Sequence, residues 1–462
     1  MAAINNKTQQ AEETLASFIV GTDYKKLPLE AIEISKNAIL DCIGVAIAGS
    51  IEPPGQILLE ELKESKGQPQ ASVIGGCFRT SVTAASLCNG TMAHALDYDD
   101  ISDSWTGHPS AVLVPAILAM GERCHSSGKE LLIAYVVGFE VGAKLGSEIG
   151  NPHYGRGWHI TSTIGSIAGA AAAAKLLKLD LQKTQMALGI AASLAGGLRE
   201  NFGTMTKPLH AGNAARNGNL AGLLASRGFT ASEHWLTAAA GFSRAFGADS
   251  HRMNEVLSQL GTTFSIILPG IWLKYYPACG GNHSPIEAAL KLRQQYLLNP
   301  DDIVEVDCAV APFLPQMLIH HHPKTGLEGK FSLEFGVSVA LIDGEALLPQ
   351  FTDERVNASD IQAFIPKVKY HILPELGDIT DLNIPVTITI TLKNGNKVFI
   401  TENNPTGKPT NPMSPEQLRK KFESCTRILS PAERAEVVKL VSKLEQQDRI
   451  DELMNLIVGR SK

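Results

Sequence analysis

Acidic and imidazole side chains are concentrated in one short stretch of this 462-residue chain. Between His94 and His108 lie four carboxylates, those of Asp97, Asp99, Asp100 and Asp103. The stretch connects two Ala-rich segments that are predicted to be buried helices, and buried charges are costly unless they are paired or used. Such groups tend to have shifted pKa values and to transfer protons. The alternative is a solvated acidic loop in which His108 caps the next helix, but Tyr98 and Trp105 are interleaved with the acids and indicate partial burial.

Two further segments carry imidazole and cationic groups. His159 precedes a Gly/Ala-dense run at 164–177, which is predicted to be a central helix, so this imidazole is expected near a helix N-terminus, where the dipole disfavours its charged form. Arg199, Lys207 and His210 are expected in a Gly-punctuated loop, where cations suit carboxylate binding. The competing interpretations are a core histidine for His159 and surface charge for the cations.

The remaining candidate residues lie further along the chain. Lys274 is at the junction into a predicted second domain, and ligand sites favour domain interfaces. Cys279 could be a nucleophile, although a small core residue is the better interpretation. The adjacent residues His320, His321 and His322 do not predict a metal site, because neighbouring side chains diverge and no HExxH spacing accompanies them. Without GxGxxG, Walker or GxSxG motifs, we predict no metal site and no nucleotide loop.

The composition restricts the class of protein. Hydrophobic residues make up 44% and charged residues 19%, as in an ordinary globular protein. A formal charge of −6 with no basic run argues against nucleic-acid or anionic-membrane partners. Each apolar stretch is interrupted before the roughly 18–20 residues of a membrane span, and the N-terminus lacks the apolar core of a secretory signal. Seven scattered cysteines without a CxxC pair predict reduced thiols and a cytoplasmic location.

The elements that must position these groups are predicted to be mainly helical. Residues 10 to about 265 show helical periodicity, whereas 303–310 and 386–392 alternate as strands do. Asn394-Gly395 then predicts a type I′ hairpin. Helical periodicity returns for the last stretch, which at about fifty residues is too short for its own core. We therefore predict a mainly α fold, in which a large all-helical domain is formed by both chain ends (1–267 and 406–462) and a smaller α+β lid domain (268–405) is inserted.

Taken together, these segments resemble the MmgE/PrpD family over nearly the whole chain. The resemblance is carried by the motifs His94-Ala-Leu-Asp-Tyr-Asp-Asp, Gly107-His-Pro-Ser, Gly157-Trp-His, Gly203-Thr-Met-Thr-Lys-Pro-Leu-His-Ala-Gly, Lys274-Tyr-Tyr-Pro-Ala-Cys and Lys330-Phe-Ser-Leu-Glu-Phe. It implies a helical domain built from both chain ends with an inserted α/β lid. It also implies a homodimer that works without metal or organic cofactor on a small polycarboxylate.

The resemblance to the decarboxylases of this family implies a set of pocket residues. These positions are Asp97, His108, His159, Lys207 and Lys274. Two departures stand out, because Ile101 occupies the place of a threonine and Phe335 that of a pocket tyrosine. The dehydratase pattern, with Asn-Asp in place of Asp99-Asp100, fits less well.

These residues suggest a mechanism. We expect Lys207, Lys274 and His210 to bind substrate carboxylates, His108 and His159 to carry protons, and Asp97 to orient one of these imidazoles. The expected function is a cofactor-independent lyase that decarboxylates an aconitate-like tricarboxylate through a carboxylate-stabilised carbanion. The alternatives are an epimerase, isomerase or dehydratase of a related acid (iminodisuccinate- or 2-methylcitrate-like), a polycarboxylate-binding sensor and a metal-dependent hydrolase.

Overall fold

The computed structural model describes residues 2–247, 252–376 and 385–459 and divides the chain into two units. The helical unit consists of Met1–Ala95, Asp99–Ile271 and Gln417–Lys462. The α+β unit consists of Leu96–Tyr98 and Trp272–Glu416. The predicted mainly α fold class is confirmed.

Helices dominate the described residues up to Ile271. They are α1 (Ala2–Gly21), α2 (Leu29–Gly49), α3 (Pro53–Ser65), α4 (Val82–His94), α5 (Ser110–Cys124), α6 (Gly128–Gly155), α7 (Ile160–Leu176), α8 (Leu181–Leu194), α9 (Thr206–Ser226), α10 (Phe242–Ala245) and α11 (Met253–Leu257). A two-residue strand pair interrupts them, formed by β1 (Ala71–Ser72) and β2 (Arg79–Thr80). The unit is therefore almost, but not wholly, helical.

The α+β unit and the C-terminal segment complete the order of elements. The α+β unit contains α12 (His283–Tyr296), β3 (Ile303–Val310), α13 (Leu314–Met317), α14 (Gly326–Gly329), α15 (Leu333–Asp343), α16 (Asp353–Val356), α17 (Ser359–Phe364), β4 (Val368–Ile372), β5 (Val386–Leu392) and β6 (Lys397–Glu402). The C-terminal helices are α18 (Pro415–Cys425), α19 (Pro431–Ser442) and α20 (Asp451–Ile457). These last helices return to the helical unit.

Helix α7 is the centre of the helical unit. Every residue from Ile160 to Ala174 is buried, and most are Gly, Ala, Ser or Thr. Small side chains allow helices to approach closely, and a Cβ on Gly218 of α9 would lie only 2.4 Å from the backbone of Gly169 in α7. The Gly/Ala-dense run therefore forms the buried central helix that its composition predicted.

The α+β unit is built around a mixed four-stranded sheet in the order β4-β3-β5-β6. Strand β3 pairs parallel with β4 and antiparallel with β5, which in turn pairs antiparallel with β6. The alternating residues Val386, Ile388 and Ile390 of β5 are buried, as a period of two requires for a sheet with one covered face.

The hairpin between β5 and β6 has a different turn from the one predicted. A type I′ turn needs positive φ at both central residues. Gly395 has φ +82°, whereas Asn394 is not among the residues with positive φ. Hydrogen bonds from Gly395 N to Leu392 O and from Leu392 N to Asn396 O, both 2.9 Å, close a three-residue loop. The hairpin is confirmed, but the type I′ assignment is wrong, because a single glycine supplies the left-handed position of a bulged turn.

Hydrogen bonds hold the last residues of the segment Asp99–Ile271 within the helical unit. The carboxylate of Glu140 on α6 accepts hydrogen bonds from the backbone N–H groups of Ser265 and Ile266, each at 2.9 Å. Ser102 Oγ donates to Gly270 O at 3.0 Å. These contacts hold residues up to Ile271 in the helical unit.

The described helices were also compared with the requirements of a membrane span. No one of them combines the necessary length and hydropathy, and the α2–α3 pair, which meets the test jointly, is bent by 80°.

Candidate active site

One carboxylate in the helical unit holds two imidazoles. Asp99 Oδ1 and Oδ2 both lie 2.9 Å from His94 Nδ1, and Asp99 Oδ2 lies 3.1 Å from His108 Nδ1. The imidazole rings of His94 and His108 meet edge to face with centroids 4.4 Å apart. His94 and Asp99 are fully buried, and the His108 side chain is 12% exposed. This trio therefore has the acid, base and low exposure that proton transfer requires.

Local structure explains why these three residues meet. His94 is the last residue of α4, and the chain then loops back through a bridge between Ser102 and Gly107. His108 follows this bridge, and its backbone N–H donates to Thr161 Oγ1 on the first turn of α7 at 3.1 Å. Trp105 fills the loop from inside, with its Nε1 donating to Phe139 O. Asp97, Asp99 and Asp100 are therefore buried and only Asp103 of the four acids is exposed, so the alternative of a solvated loop is wrong.

The charge of Asp99 depends on its imidazole neighbours. Burial alone would raise the pKa of this carboxyl, but the charges and hydrogen bonds of His94 and His108 outweigh burial and hold the pKa well below its ordinary value. Asp99 is therefore ionised near neutral pH and presents a negative charge to the two imidazoles that face it. Among the described residues His94 Nε2 is buried without a hydrogen-bond partner, so an oxygen of a bound ligand could accept from it.

The next carboxyl, Asp100, has the opposite environment. It accepts a hydrogen bond from Ser110 N at 3.0 Å and makes a short contact with Ser110 Oγ, which lies 2.6 Å from Tyr135 Oη. Burial, opposed by the Ser110 hydrogen bonds and reinforced by Asp99 and Asp41, raises the pKa of Asp100 to about 8. Two adjacent aspartates therefore hold different charges near neutral pH, with Asp99 ionised and Asp100 mostly protonated.

A second pair of imidazoles lies beside the first trio. His159 Nδ1 and His210 Nδ1 are 3.0 Å apart, and the ring of His159 stacks on that of His94 with centroids 6.0 Å apart. Burial, followed by electrostatic interaction with His94, Lys207, His210 and His108, lowers the pKa of His159 well below its ordinary value. Burial, followed by His94 and Lys207, lowers the pKa of His210 to about 4. Both rings are therefore neutral near pH 7.

Lys207 and His210 lie in a helix and not in the loop that the sequence predicted. The sequence pattern placed both in a loop, but they lie in the first two turns of α9, which begins at Thr206. Pro208 does not prevent this, because the N–H groups of a first helical turn have no intrahelical acceptor. The buried ammonium group of Lys207 lies 5.3 Å from the ring centroid of Phe202, which in turn contacts His159 edge to face.

Arg199 remains outside this helix. Its guanidinium lies 3.6 Å from the ring centroid of Tyr154, and Nη1 donates to Tyr154 O at 2.9 Å. The Arg199 side chain is thus held against α6. Lys207 is a positive charge that acts on both His159 and His210.

The other predicted site residues belong to the α+β unit. Lys274 Nζ donates to Asp97 O at 2.8 Å and lies 3.2 Å from Asp97 Oδ1, with both side chains buried. Asp97 has φ +50°, a left-handed conformation that aspartate adopts more readily than most residues. The Asp97 carboxylate is thus paired with the ammonium group of Lys274. The predicted roles of Asp97 and Lys274 with substrate stay predictions.

Three further positions were singled out from the sequence. Phe335 is fully buried in the core of the α+β unit and packs edge to face on Phe351. Ile101 is buried in the acidic stretch of the helical unit, and Cys279 is buried as expected for a small core residue. Apolar packing therefore accounts for Phe335 and Ile101.

Two residues of the site were not assigned a role from the sequence. His94 and Asp99 were recognised as part of the acidic stretch, but the imidazole-orienting carboxylate was expected to be Asp97. Within the helical unit that contact is made by Asp99. One sequence signal could have identified this contact. A histidine at the end of a predicted helix is followed, five residues later, by an aspartate in a stretch expected to be buried.

The trio could also bind a cation. The ligand atoms of His94, Asp99 and His108 lie within 4.8 Å of one another. The 2.9 Å from Asp99 to His94 Nδ1 is a hydrogen-bond distance, and the 3.1 Å from Asp99 to His108 Nδ1 is an ion-pair distance. The geometry therefore suits a carboxylate that orients two imidazoles.

Known proteins with similar sequences were compared with the chain. Residues 13–253 match the MmgE/PrpD N-terminal domain, and residues 276–446 match the MmgE/PrpD C-terminal domain. A cis-aconitate decarboxylase of Mus musculus is 30% identical over 97% of this chain and 93% of its own length. The cis-aconitate decarboxylase of Homo sapiens is 29% identical over 97% and 95%, and that of Aspergillus terreus is 28% identical over 93% and 92%. Decarboxylases are lyases, the predicted enzyme class, and the two domain matches together with these relatives show that the chain belongs to the MmgE/PrpD family.

Proposed function

We propose that this protein is a lyase that decarboxylates an aconitate-like tricarboxylate, with cis-aconitate as the first substrate to test. The observation that carries the proposal is the Asp99 carboxylate between two imidazoles, because it supports a charged, proton-donating His108 in a buried site. The relatives named as cis-aconitate decarboxylases supply the substrate class.

The proposed reaction uses His108 as the proton donor. The carbon–carbon bond to one carboxylate breaks, CO2 leaves, and the electron pair remains on an allylic carbon that the adjacent carboxylates stabilise. His108 presents Nδ1 to Asp99, so Nε2 is the atom that delivers a proton to this carbon. The imidazole is recharged from solvent after product leaves.

The cation and the second imidazole pair have separate roles in the proposal. Lys207 holds a substrate carboxylate, because its buried ammonium group lies beside the neutral His159 and His210. His159 is neutral near pH 7 and therefore accepts or relays a proton instead of donating one from a charged ring. This assigns the acid to His108 and leaves His159 as a neutral proton relay, because the decarboxylation removes no proton from the substrate.

The experiment is turnover of cis-aconitate in D2O by the purified protein, followed by mass spectrometry and CO2 measurement. A decarboxylase releases CO2 and gives a five-carbon product that carries one carbon-bound deuterium. An isomerase gives a deuterated product of the substrate's own carbon count, and a hydratase or dehydratase changes the formula by one water. Either of the last two results, or no CO2 from a folded protein, contradicts the proposal.

Substitution of the acid provides the first prediction. His108→Ala should lower kcat by about 10²–10⁴-fold, because it removes general acid catalysis. The exposed His322 gives a matched control, and His322→Ala should keep wild-type turnover. Thermal unfolding of both variants checks the fold, and wild-type activity of a folded His108→Ala protein would remove His108 from the mechanism.

A further inference from the structure

We propose that His210 sets the tautomer of His159, so that the two rings carry opposite tautomers and share a single proton between their Nδ1 atoms. The two Nδ1 atoms are 3.0 Å apart, with ring centroids separated by 5.2 Å. This proposal deepens the proposed function, on whose site it rests, and replaces the predicted role of His210 as a substrate ligand with that of a positioning residue.

The distance between like atoms carries the argument. A hydrogen bond needs one donor and one acceptor, and a neutral imidazole carries its proton on either Nδ1 or Nε2. If both rings were protonated on Nδ1, two N–H donors would face each other. If both were protonated on Nε2, two lone pairs would face each other. A separation of 3.0 Å is therefore favourable only if one Nδ1 is protonated and the other is not.

The surroundings disfavour the remaining possibility, a charged ring. Burial and the nearby positive groups hold the pKa of His159 well below its ordinary value and that of His210 at about 4. Lys207 acts on both rings in this direction. Two neutral imidazoles of opposite tautomer are thus the arrangement that the site favours near pH 7.

The backbone fixes the two rings in this position. His159 is the N-cap of α7, and its N–H donates to Gly197 O at 3.0 Å. Ser162 Oγ on the same helix donates to His210 O on α9 at 3.2 Å. Gly197 has φ +126°, and a Cβ there would come within 3.3 Å of His210 Cγ. A glycine at this position therefore leaves room for the His210 ring.

Opposite tautomers have a chemical consequence. One ring presents a bare Nε2, which can accept a proton, and the other presents Nε2–H, which can donate one. If the bare Nε2 gains a proton, the shared Nδ1 proton crosses to the other ring and that ring releases its Nε2 proton. Both rings then end neutral with their tautomers exchanged, so the pair can move a proton without building up charge in a buried site.

The direct test is nitrogen NMR on protein labelled with 15N-histidine, without ligand at pH 7. The chemical shifts of protonated and bare ring nitrogens differ, so each tautomer is identified. His153 provides an internal reference, since its Nδ1 faces Phe246 O at 3.1 Å and must carry the proton. One Nδ1-protonated and one Nε2-protonated ring for His159 and His210 is the expected result. Two rings of the same tautomer, or a charged ring, would overturn the proposal whether or not cis-aconitate is the substrate.

Variants of His210 separate positioning from substrate binding. The amide of His210→Asn can occupy the place of Nδ1 and keep the contact with His159, whereas that of His210→Gln reaches the place of Nε2. We expect Asn to retain the most activity, and Gln and Ala to lose about 100-fold or more in kcat with KM little changed. Retention by Gln with a large rise of KM in Asn would overturn the proposal in favour of a substrate contact. Thermal unfolding confirms that each variant is folded.

Discussion

Asp99 and Asp100 are neighbours in sequence, yet they hold opposite charge states near neutral pH. Asp99 is kept ionised by two imidazoles although burial opposes its charge, whereas Asp100 faces hydroxyl groups and is mostly protonated. The difference lies in the partners of each carboxyl, since both are fully buried. At the residue scale, one of these two neighbours is therefore a charged carboxylate that orients imidazoles, and the other is a neutral acid that hydrogen bonds hold.

The role of Asp99 can be tested with an isosteric change. Asp99→Asn removes the negative charge that favours protonated His108, so kcat should fall by about 10²–10⁴-fold. Asp103→Asn is the matched control, because Asp103 is an exposed carboxylate of the same loop, and its activity should stay within about twofold of wild type. Equal activity of the two variants would contradict the assignment of Asp99.

The raised pKa of Asp100 predicts a pH-dependent stability. A carboxyl whose pKa rises from an ordinary value to about 8 on folding binds its proton more tightly in the folded state. Its contribution is therefore fully present below the ordinary carboxyl pKa and is lost as the pH rises towards about 8. Asp100→Asn mimics the protonated form, so its stability should gain on that of wild type between pH 5 and pH 9. Urea unfolding at both pH values measures this, and a constant difference would refute it.

The sequence pointed to the imidazoles and Lys207, and it did not assign a role to Asp99, which contacts both His94 and His108. In a helix or strand, spacing tells which side chains share a face. Asp97 has φ +50° and lies in an irregular turn, so spacing does not apply there. Which of several adjacent carboxylates meets an imidazole is then decided by tertiary contacts, such as the bridge from Ser102 to Gly107.

At the scale of elements, the close approach of α4 and α9 positions the site. Helix α4 ends at His94, and α9 carries Lys207 and His210. A Cβ on Gly212 of α9 would lie 2.1 Å from Leu87 O on α4, which leaves no room for any larger residue. The spacing of these site residues therefore depends on a glycine.

We predict that Gly212→Ala pushes the two helices apart. Overpacking of this kind lowers the free energy of unfolding by about 1–3 kcal/mol, and the displaced Lys207 and His210 should lower kcat as well. Gly155→Ala is the control, because no atom lies within 4 Å of the added Cβ at the end of α6. Chemical unfolding compares the two, and equal stability would show that α4 and α9 accommodate the methyl group.

Much of the element order follows from the sequence, and the exceptions have physical causes. The Gly/Ala-dense run predicted α7, and alternation predicted β3 and β5, because these patterns report burial directly. The start of α9 was missed because Gly203 and Pro208 are typical of loops, although Gly203 with φ +86° belongs to the loop and Pro208 to a first helical turn. The sequence around Gly203 and Pro208 does not show at which of the two the loop ends and the helix begins.

At the scale of the whole molecule, a buried ion pair ties the C-terminal segment to the start of the chain. Lys421 Nζ on α18 lies 2.7 Å from Asp41 Oδ1 on α2, and both side chains are at most 2% exposed. Burial raises the pKa of Asp41, and the charge of Lys421 opposes this rise. The ammonium group therefore helps to keep the Asp41 carboxylate charged inside the helical unit.

Removal of one partner should be costly. Lys421→Met leaves Asp41 buried without its cation and should lower the free energy of unfolding by about 3–5 kcal/mol. Arg419→Met on the same helix removes only an exposed ion pair with Glu423 and should cost about 0–1 kcal/mol. Adding Asp41→Leu to Lys421→Met should recover most of the loss, and failure to recover it would show that the pair does more than neutralise charge.

The α+β unit includes three residues, Leu96–Tyr98, that precede the rest of it by a long span of sequence. Lys274 Nζ donates to Asp97 O across 177 positions, and Lys330 Nζ donates to Leu96 O across 234. A fragment cut at Trp272 and Glu416 would therefore contain two lysines deprived of acceptors that the intact protein supplies. A gene fragment or domain swap that starts at Trp272 would leave out Leu96–Tyr98. A version of this unit expressed alone would therefore need these three residues added to it.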